Sequence, residues 1–141
     1  MINSVKHWIY RLFKKHWECI LIIDDDMTSI KIARAILVSQ GYAVLTTKSG
    51  EEGLETAQNK SPDLILLDVI MPGLKGRDVC RKLKENEKTK HIPVVFLTAK
   101  DSPDDIQAEM AAGAETHLTK PVNRGKLLTV VQQILSKKKA K

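Results

Sequence analysis

From residue 19 onward, short runs rich in Ile, Leu and Val alternate with longer segments whose apolar residues recur every three or four positions. The runs predict strands over residues 19–24, 42–47, 63–68, 92–98 and 115–119, and the spaced segments predict helices over 28–40, 50–59, 76–84, 103–112 and 123–135. Three of the strands are almost continuously apolar, as strands are when helices cover both faces of a parallel sheet. Several boundaries have their own chemistry. Gly41 and Gly113 stand where helix C-caps are needed, and Ser102-Pro103-Asp104-Asp105 supplies an N-cap, a proline at the first helical position and acidic residues in the first turn. Five βα units joined by right-handed crossovers predict an α/β fold, a doubly wound five-stranded parallel sheet with helices on both faces, whose sites lie at the carboxyl ends of the strands. The pattern leaves strand order open.

Charge changes this picture only at the two ends. Of the 141 residues, 1–19 carry Lys6, Arg11, Lys14 and Lys15 against Glu18, and the last five carry four lysines, while 20–136 are close to neutral despite a net charge of +6. The basicity therefore belongs to the ends, and a high isoelectric point does not make the folded body a nucleic-acid binder; no direct DNA binding is expected. Val5, Trp8, Ile9, Leu12, Phe13, His16 and Trp17 fall at helical spacing among these basic residues, which predicts an N-terminal amphipathic helix over 1–18. Such a helix can pack on its own domain, self-associate, dock a partner or lie on an anionic membrane surface. His7, His16 and Cys19 lack a zinc spacing. A domain over 19–136 and a solvated, disordered Lys-rich tail over 137–141 complete the expected organisation. No apolar stretch is long enough to span a bilayer, and the N-terminus lacks the unbroken apolar run of a secretory signal, so a cytoplasmic location is expected. Cys19 and Cys80 are too few for a disulfide framework and read as reduced, buried thiols.

The strand ends carry the chemistry. The first strand runs into Asp24, Asp25 and Asp26, the third ends at Asp68, the fourth at Thr98, and the fifth at Thr119-Lys120-Pro121. Each feature has a bland reading. The acidic triple alone could be a solvated turn or a helix N-terminal charge cluster, and Met71-Pro72-Gly73 alone is a turn. Four polar residues on four strand ends are another matter. Carboxylates crowded on one rim repel unless a cation joins them, and hard oxygen ligands suit Mg2+. A carboxylate such as Asp68 can take a phosphoryl group as an acyl phosphate, with magnesium and Lys120 neutralising charge and Thr98 hydrogen-bonding a phosphoryl oxygen. A mixed anhydride of this kind suits a conformational switch better than turnover.

The run Ile20-Leu21-Ile22-Ile23-Asp24-Asp25-Asp26, the segment 62–73 around Asp68, Leu97-Thr98-Ala99 and Leu118-Thr119-Lys120-Pro121 together resemble the response-regulator receiver domains of two-component signalling, over about residues 19–136. The resemblance implies a flavodoxin-like fold. It implies Asp68 as phosphoacceptor, magnesium held by Asp25, Asp68 and the main-chain carbonyl of Ile70 with Asp24 acting mainly through water, Thr98 and Lys120 on the phosphoryl group, and a cis Lys120–Pro121 bond. It also implies a switch in which Thr98 turns toward the phosphoryl group and the residue three before the lysine moves in behind it. That residue is His117, where the family more usually has Tyr or Phe; an imidazole is smaller and can carry charge, so a coupling of different strength or pH dependence is expected, a tolerated surface residue being the bland alternative. Val122 likewise stands where an aromatic often follows the Lys-Pro pair.

The expected function is a stand-alone, chemotaxis-regulator-like phosphorelay switch. A sensor histidine kinase or phosphotransfer protein would phosphorylate it, and a downstream protein target would read its fourth helix, fifth strand and fifth helix. No output domain fits in the residues left, so readout through protein contacts or the N-terminal helix is expected. Three rivals are weaker. Haloacid-dehalogenase-type phosphatases carry a second aspartate two residues beyond the nucleophile, where this chain has Ile70, so turnover beyond slow self-dephosphorylation is not expected. An unphosphorylated interaction module would be signalled by a missing acceptor or lysine, and both are present. A basic-tailed nucleic-acid binder rests on the two ends alone.

Overall fold

The apolar runs become a single parallel sheet. The computed structural model describes residues 17–99 and 102–140 and places β1 (Cys19–Ile23), α1 (Met27–Ser39), β2 (Ala43–Thr47), α2 (Gly50–Lys60), β3 (Leu64–Asp68), α3 (Gly76–Glu85), β4 (Val94–Thr98), α4 (Pro103–Ala111), β5 (Thr116–Thr119) and α5 (Arg124–Ala140) in that order. The sheet order is β2-β1-β3-β4-β5, the feature the hydrophobic pattern left open. The flavodoxin-like doubly wound fold is therefore the observed one. The stretch 1–16, read above as most of an amphipathic helix, lies outside the described residues. Trp17 and Glu18 lead into β1 without being helical.

Side-chain alternation along each strand sorts the core into two layers. Ile20, Ile22, Leu64, Leu66, Val95 and Leu97 face one way, under α1 (Ile30, Ala33, Leu37) and α5 (Leu127, Val131, Leu135). Leu21, Ile23, Ile65, Leu67, Val94 and Phe96 face the other way, under Ala57 of α2, Val79, Cys80 and Leu83 of α3, and Ala112 just past α4. Each buried Leu or Ile contributes about 1.5–3 kcal/mol relative to exposure, so the three central strands anchor the rim that carries the polar residues.

Ser102 and Ser49 accept hydrogen bonds from Asp105 N and Glu52 N as N-caps, and Gly41 (φ 88°) and Gly113 (φ 107°) take the left-handed positions after α1 and α4. Most helix and strand ends differ from expectation by a residue or two, as ends do.

The C-terminal tail is a larger correction: α5 runs to Ala140, so Lys137, Lys138 and Lys139, expected to be disordered, are helical, while residue 141 lies outside the described residues. No Gly or Pro follows Leu135, lysine is a good helix former, and Lys137, Lys138 and Lys139 sit where cations favour the negative end of the helix dipole. Lys138 approaches Asp63 at 3.8 Å and Lys139 approaches Glu18 at 3.1 Å; such exposed pairs add little, within about 1 kcal/mol each.

Cys80 is buried, but Cys19 at the start of β1 is only half-buried, which corrects the reading that both thiols are buried. Burial pushes the Cys80 thiol up to about 11, against the pull of Lys84 and Arg81, and burial and Asp63 raise that of Cys19, so neither is a nucleophile near neutral pH.

Candidate functional site

The chain leaves β1 toward β2 on one side and leaves β3 toward β4 on the other, so the crevice between the carboxyl ends of β1 and β3 is the switch point of the sheet. Asp24 and Asp68 stand on its two sides. Asp24 is fully buried: its N–H donates to Thr47 O at 3.1 Å, and its Oδ1 accepts from Asp26 N at 3.0 Å. Lys120 reaches across from the end of β5, with Nζ 2.8 Å from Asp24 Oδ2 and 3.4 Å from Asp68 Oδ1. Its own N–H donates to Thr98 O at 2.8 Å, which ties the end of β4 to that of β5. Thr98 is buried at the β4 terminus, and the Lys120–Pro121 peptide bond is cis.

Asp25 is exposed beside this pair. Asp24, Asp25 and Asp68 each present a carboxylate oxygen within 4.8 Å of the others. The third member of the acidic triple does something else: Asp26 caps α1, accepting from Thr28 N at 3.1 Å and Ser29 Oγ at 2.9 Å, and these bonds hold its carboxyl below the usual range. The bland reading of the triple as a helix-terminal charge is thus correct for Asp26.

The loop after β3 is held tightly. Gly76 N donates to Val69 O at 3.0 Å, and a Cβ built on Gly76 would stand 2.1 Å from Asp68 O. Only glycine fits there. The exposed Ile70 lies on this loop two residues beyond Asp68.

Burial pushes the Asp68 carboxyl up to about 6, and the neighbouring Asp24 adds to the rise, while Lys120 and a backbone hydrogen bond at Ile70 oppose it. For Lys120, burial works against its charge, but the hydrogen bond to Asp24 and the attraction of Asp68 win and hold the ammonium above its ordinary value. The folded state therefore binds the Asp68 proton more tightly than the unfolded chain, whose carboxyl titrates near ~3.9. This group favours folding below that pH, and the advantage is lost as pH rises through about 6. Melts in a chelating buffer are expected to show stability falling between pH 5 and pH 7, with the fall flattened in Asp68→Asn; an unchanged slope in that variant would contradict the assignment. Lys120→Met, which strips the counter-charge from both carboxylates, is expected to cost about 3 kcal/mol or more at pH 7 in the same melts and less at pH 5.

The structure thus brings together Asp24, Asp25, Asp68, Thr98 and Lys120 on one rim, with Ile70 on the adjoining loop. His117 is half-buried on β5, where it lines a cleft of roughly 400 Å³ with Thr119, Lys120 and Pro121. Sequence reasoning passed over Glu109, which is fully buried on α4, and Gly76. Glu109 lies three residues after Ile106 and three before Ala112, on the inward stripe of its helix, and that charge at an apolar position was the available signal.

The family model of the response regulator receiver domain matches residues 20–132. Response regulator PleD of Caulobacter vibrioides is 41% identical over 115 residues, 82% of this chain and 25% of PleD, so the chain spans about a quarter of the length of that relative. Protein PilH of Pseudomonas aeruginosa is 37% identical over 117 residues, 83% of this chain and 97% of PilH. Among solved structures, the receiver domain of sensor histidine kinase PA1611 from Pseudomonas aeruginosa superimposes with a TM-score of 0.80 at 28% identity, covering 85% of this chain and 98% of that one; it holds a magnesium ion in its active-site cleft. The crevice between β1 and β3 and the match along almost the whole described sheet point the same way, and the chain belongs to the response regulator receiver domains of two-component signalling.

Proposed function

We propose that this chain is a phosphorylation switch in which Asp68 accepts a phosphoryl group from a phosphohistidine of a sensor histidine kinase or phosphotransfer protein. The observation that carries this reading is the pairing of one ammonium, Lys120, with two carboxylates at the switch point, one of them Asp68. In the transfer, an Asp68 carboxylate oxygen attacks phosphorus, the P–N bond breaks, and the imidazole leaves with the bond's electron pair. Lys120 meets the negative charge of the arriving group, and the Thr98 hydroxyl donates to one of its oxygens. The proton that burial favours on Asp68 must be absent for attack, so the reaction is expected to slow in acid, at a pH below about 6 once a cation joins the carboxylates.

The donor set fits magnesium. Three carboxylates have oxygens within 4.8 Å of one another, they are hard ligands, and Asp25 leaves the set open to solvent on one side. Asp25, Asp68 and the Ile70 carbonyl would hold the ion, with Asp24 reaching it through water; the bound ion supplies charge neutralisation at the transferring group. Magnesium is expected to stabilise the protein more at pH 7 than at pH 5, because the ligands must be deprotonated, and Asp25→Asn is expected to reduce that gain. Thermal melts with and without the ion at the two pH values check this.

The phosphorylated domain then signals by protein contacts through the face of α4, β5 and α5, without catalytic turnover beyond slow self-dephosphorylation. Cytoplasmic placement accords with a kinase donor; among the described residues no helix is long and apolar enough to cross a membrane. The test is phosphotransfer from a phosphohistidine donor followed by hydroxylamine. An acyl phosphate on Asp68 is expected to be released, whereas a hydroxylamine-stable label would place the group on a hydroxyl side chain and overturn the reading.

A further inference from the structure

Glu109 is, among the described residues, the one fully buried acidic side chain outside the Asp24–Asp68 crevice. Neither of its carboxylate oxygens has a hydrogen-bond partner. A buried carboxyl in that condition is costly, and nothing in the site already described uses it. The charged groups that face it come from three elements: His117 on β5, Arg77 on α3, and Asp105 one turn earlier on α4. Arg77 gives its Nη2 to Asp105 Oδ1 at 2.9 Å, while its Nε is buried and, like the Glu109 oxygens, has no hydrogen-bond partner. Arg77 is held in place by that ion pair and does not reach Glu109, whereas His117 carries no such tie among the described residues and lines an open cleft that leaves it room to turn and approach.

The strand register gives that approach a consequence. Thr98 pairs with Thr119 and Phe96 pairs with His117, so the side chains of Thr98 and His117 leave the same face of the sheet on adjacent strands. That face carries the core layer into which the end of α4 packs. A His117 side chain turned inward toward Glu109 would lie behind Thr98; turned outward it belongs to the surface of β5.

We propose that Glu109 is a positioning residue, a preformed acceptor that holds the His117 imidazole in an inward position and thereby favours the phosphoryl-bearing state of the site. This inference rests on the proposed function, since it assigns the partner that stabilises one state of that switch. Burial raises the Glu109 carboxyl above its usual range, opposed by His117 and Arg77 and reinforced by Asp105, so the group is poised to gain from a close donor. The carboxyl is without a hydrogen-bond partner here, and an inward imidazole would satisfy it.

Two variants separate this role from a merely structural one, with beryllium trifluoride and magnesium as the phosphoryl analogue and isotopic labelling of glutamate carboxyls as the probe. Glu109→Leu removes the bare carboxyl, so the thermal midpoint is expected to rise, yet analogue affinity is expected to fall about tenfold because the acceptor is gone. Glu109→Gln keeps an acceptor and is expected to stay within about twofold of wild type. In the wild type the Glu109 carboxyl resonance is expected to shift on loading, and in His117→Phe it should not. Equal loading of wild type and Glu109→Leu, or a Glu109 resonance that ignores loading, would overturn the inference while leaving the phosphorylation reading intact. Failure of the wild type to bind the analogue, with the Asp68 resonance unmoved, would instead remove the proposed function and the inference with it.

Discussion

Asp68→Asn is expected to give a domain that is folded, more stable than the wild type in chelating buffer at pH 7, and unable to take up a phosphoryl group. The amide has nearly the shape of the carboxyl, so packing at the end of β3 is kept. What changes is charge. In the wild type, burial and then the neighbouring Asp24 push the Asp68 carboxyl up to about 6, and the neutral amide removes both penalties while leaving Lys120 to Asp24 at 2.8 Å. The same change removes the nucleophile, because an amide oxygen cannot form the acyl phosphate. Stability and reactivity should therefore move in opposite directions, read by thermal melts and by phosphoryl incorporation. A less stable Asp68→Asn would contradict the electrostatic account even if incorporation were lost.

Gly76→Ala is expected to be the most damaging small substitution in the loop after β3, costing about 4 kcal/mol or more in chemical denaturation. Its added methyl would meet Asp68 O at 2.1 Å and Val69 Cα at 2.8 Å, and both contacts are main chain. No rotamer relieves such an overlap, so the loop or α3 must move, and the Gly76 N to Val69 O bond is lost with it. Since this loop follows directly on Asp68 and carries Ile70, magnesium affinity should fall as well. Gly53 provides the contrast: there the methyl would meet the Ile23 side chain at 2.5 Å, which can shift, and a smaller loss is expected from Gly53→Ala.

Much of this architecture is legible in the sequence because burial is two-sided. Ile20–Ile23, Leu64–Leu67 and Val94–Leu97 are apolar at every position since α1 and α5 cover one face and α2, α3 and α4 the other. The strand-end residues stand out for the same reason, as polar groups abutting apolar runs. The order β2-β1-β3-β4-β5 was not readable, since every strand has the same character and order lies in pairing between distant segments. The division of labour in the acidic triple was hidden too: Asp24, Asp25 and Asp26 are chemically alike, and only the turn into α1 decides which one caps and which ones face the crevice. The helical tail is the uninterrupted continuation of α5 past Leu135, to which the pairs with Glu18 and Asp63 add little, and a run of lysines by itself reads as solvated chain. Glu109 was visible as a charge on an apolar stripe, but its lack of a partner is a fact of packing.

The central claim, that Asp68 is a magnesium-assisted phosphoacceptor, is tested most directly by intact-protein mass after incubation with acetyl phosphate, with magnesium or with a chelator. A gain of one phosphoryl group in the wild type with magnesium, reduced in chelator and absent in Asp68→Asn, is the predicted result. No gain under either condition, or an equal gain in Asp68→Asn, would contradict it.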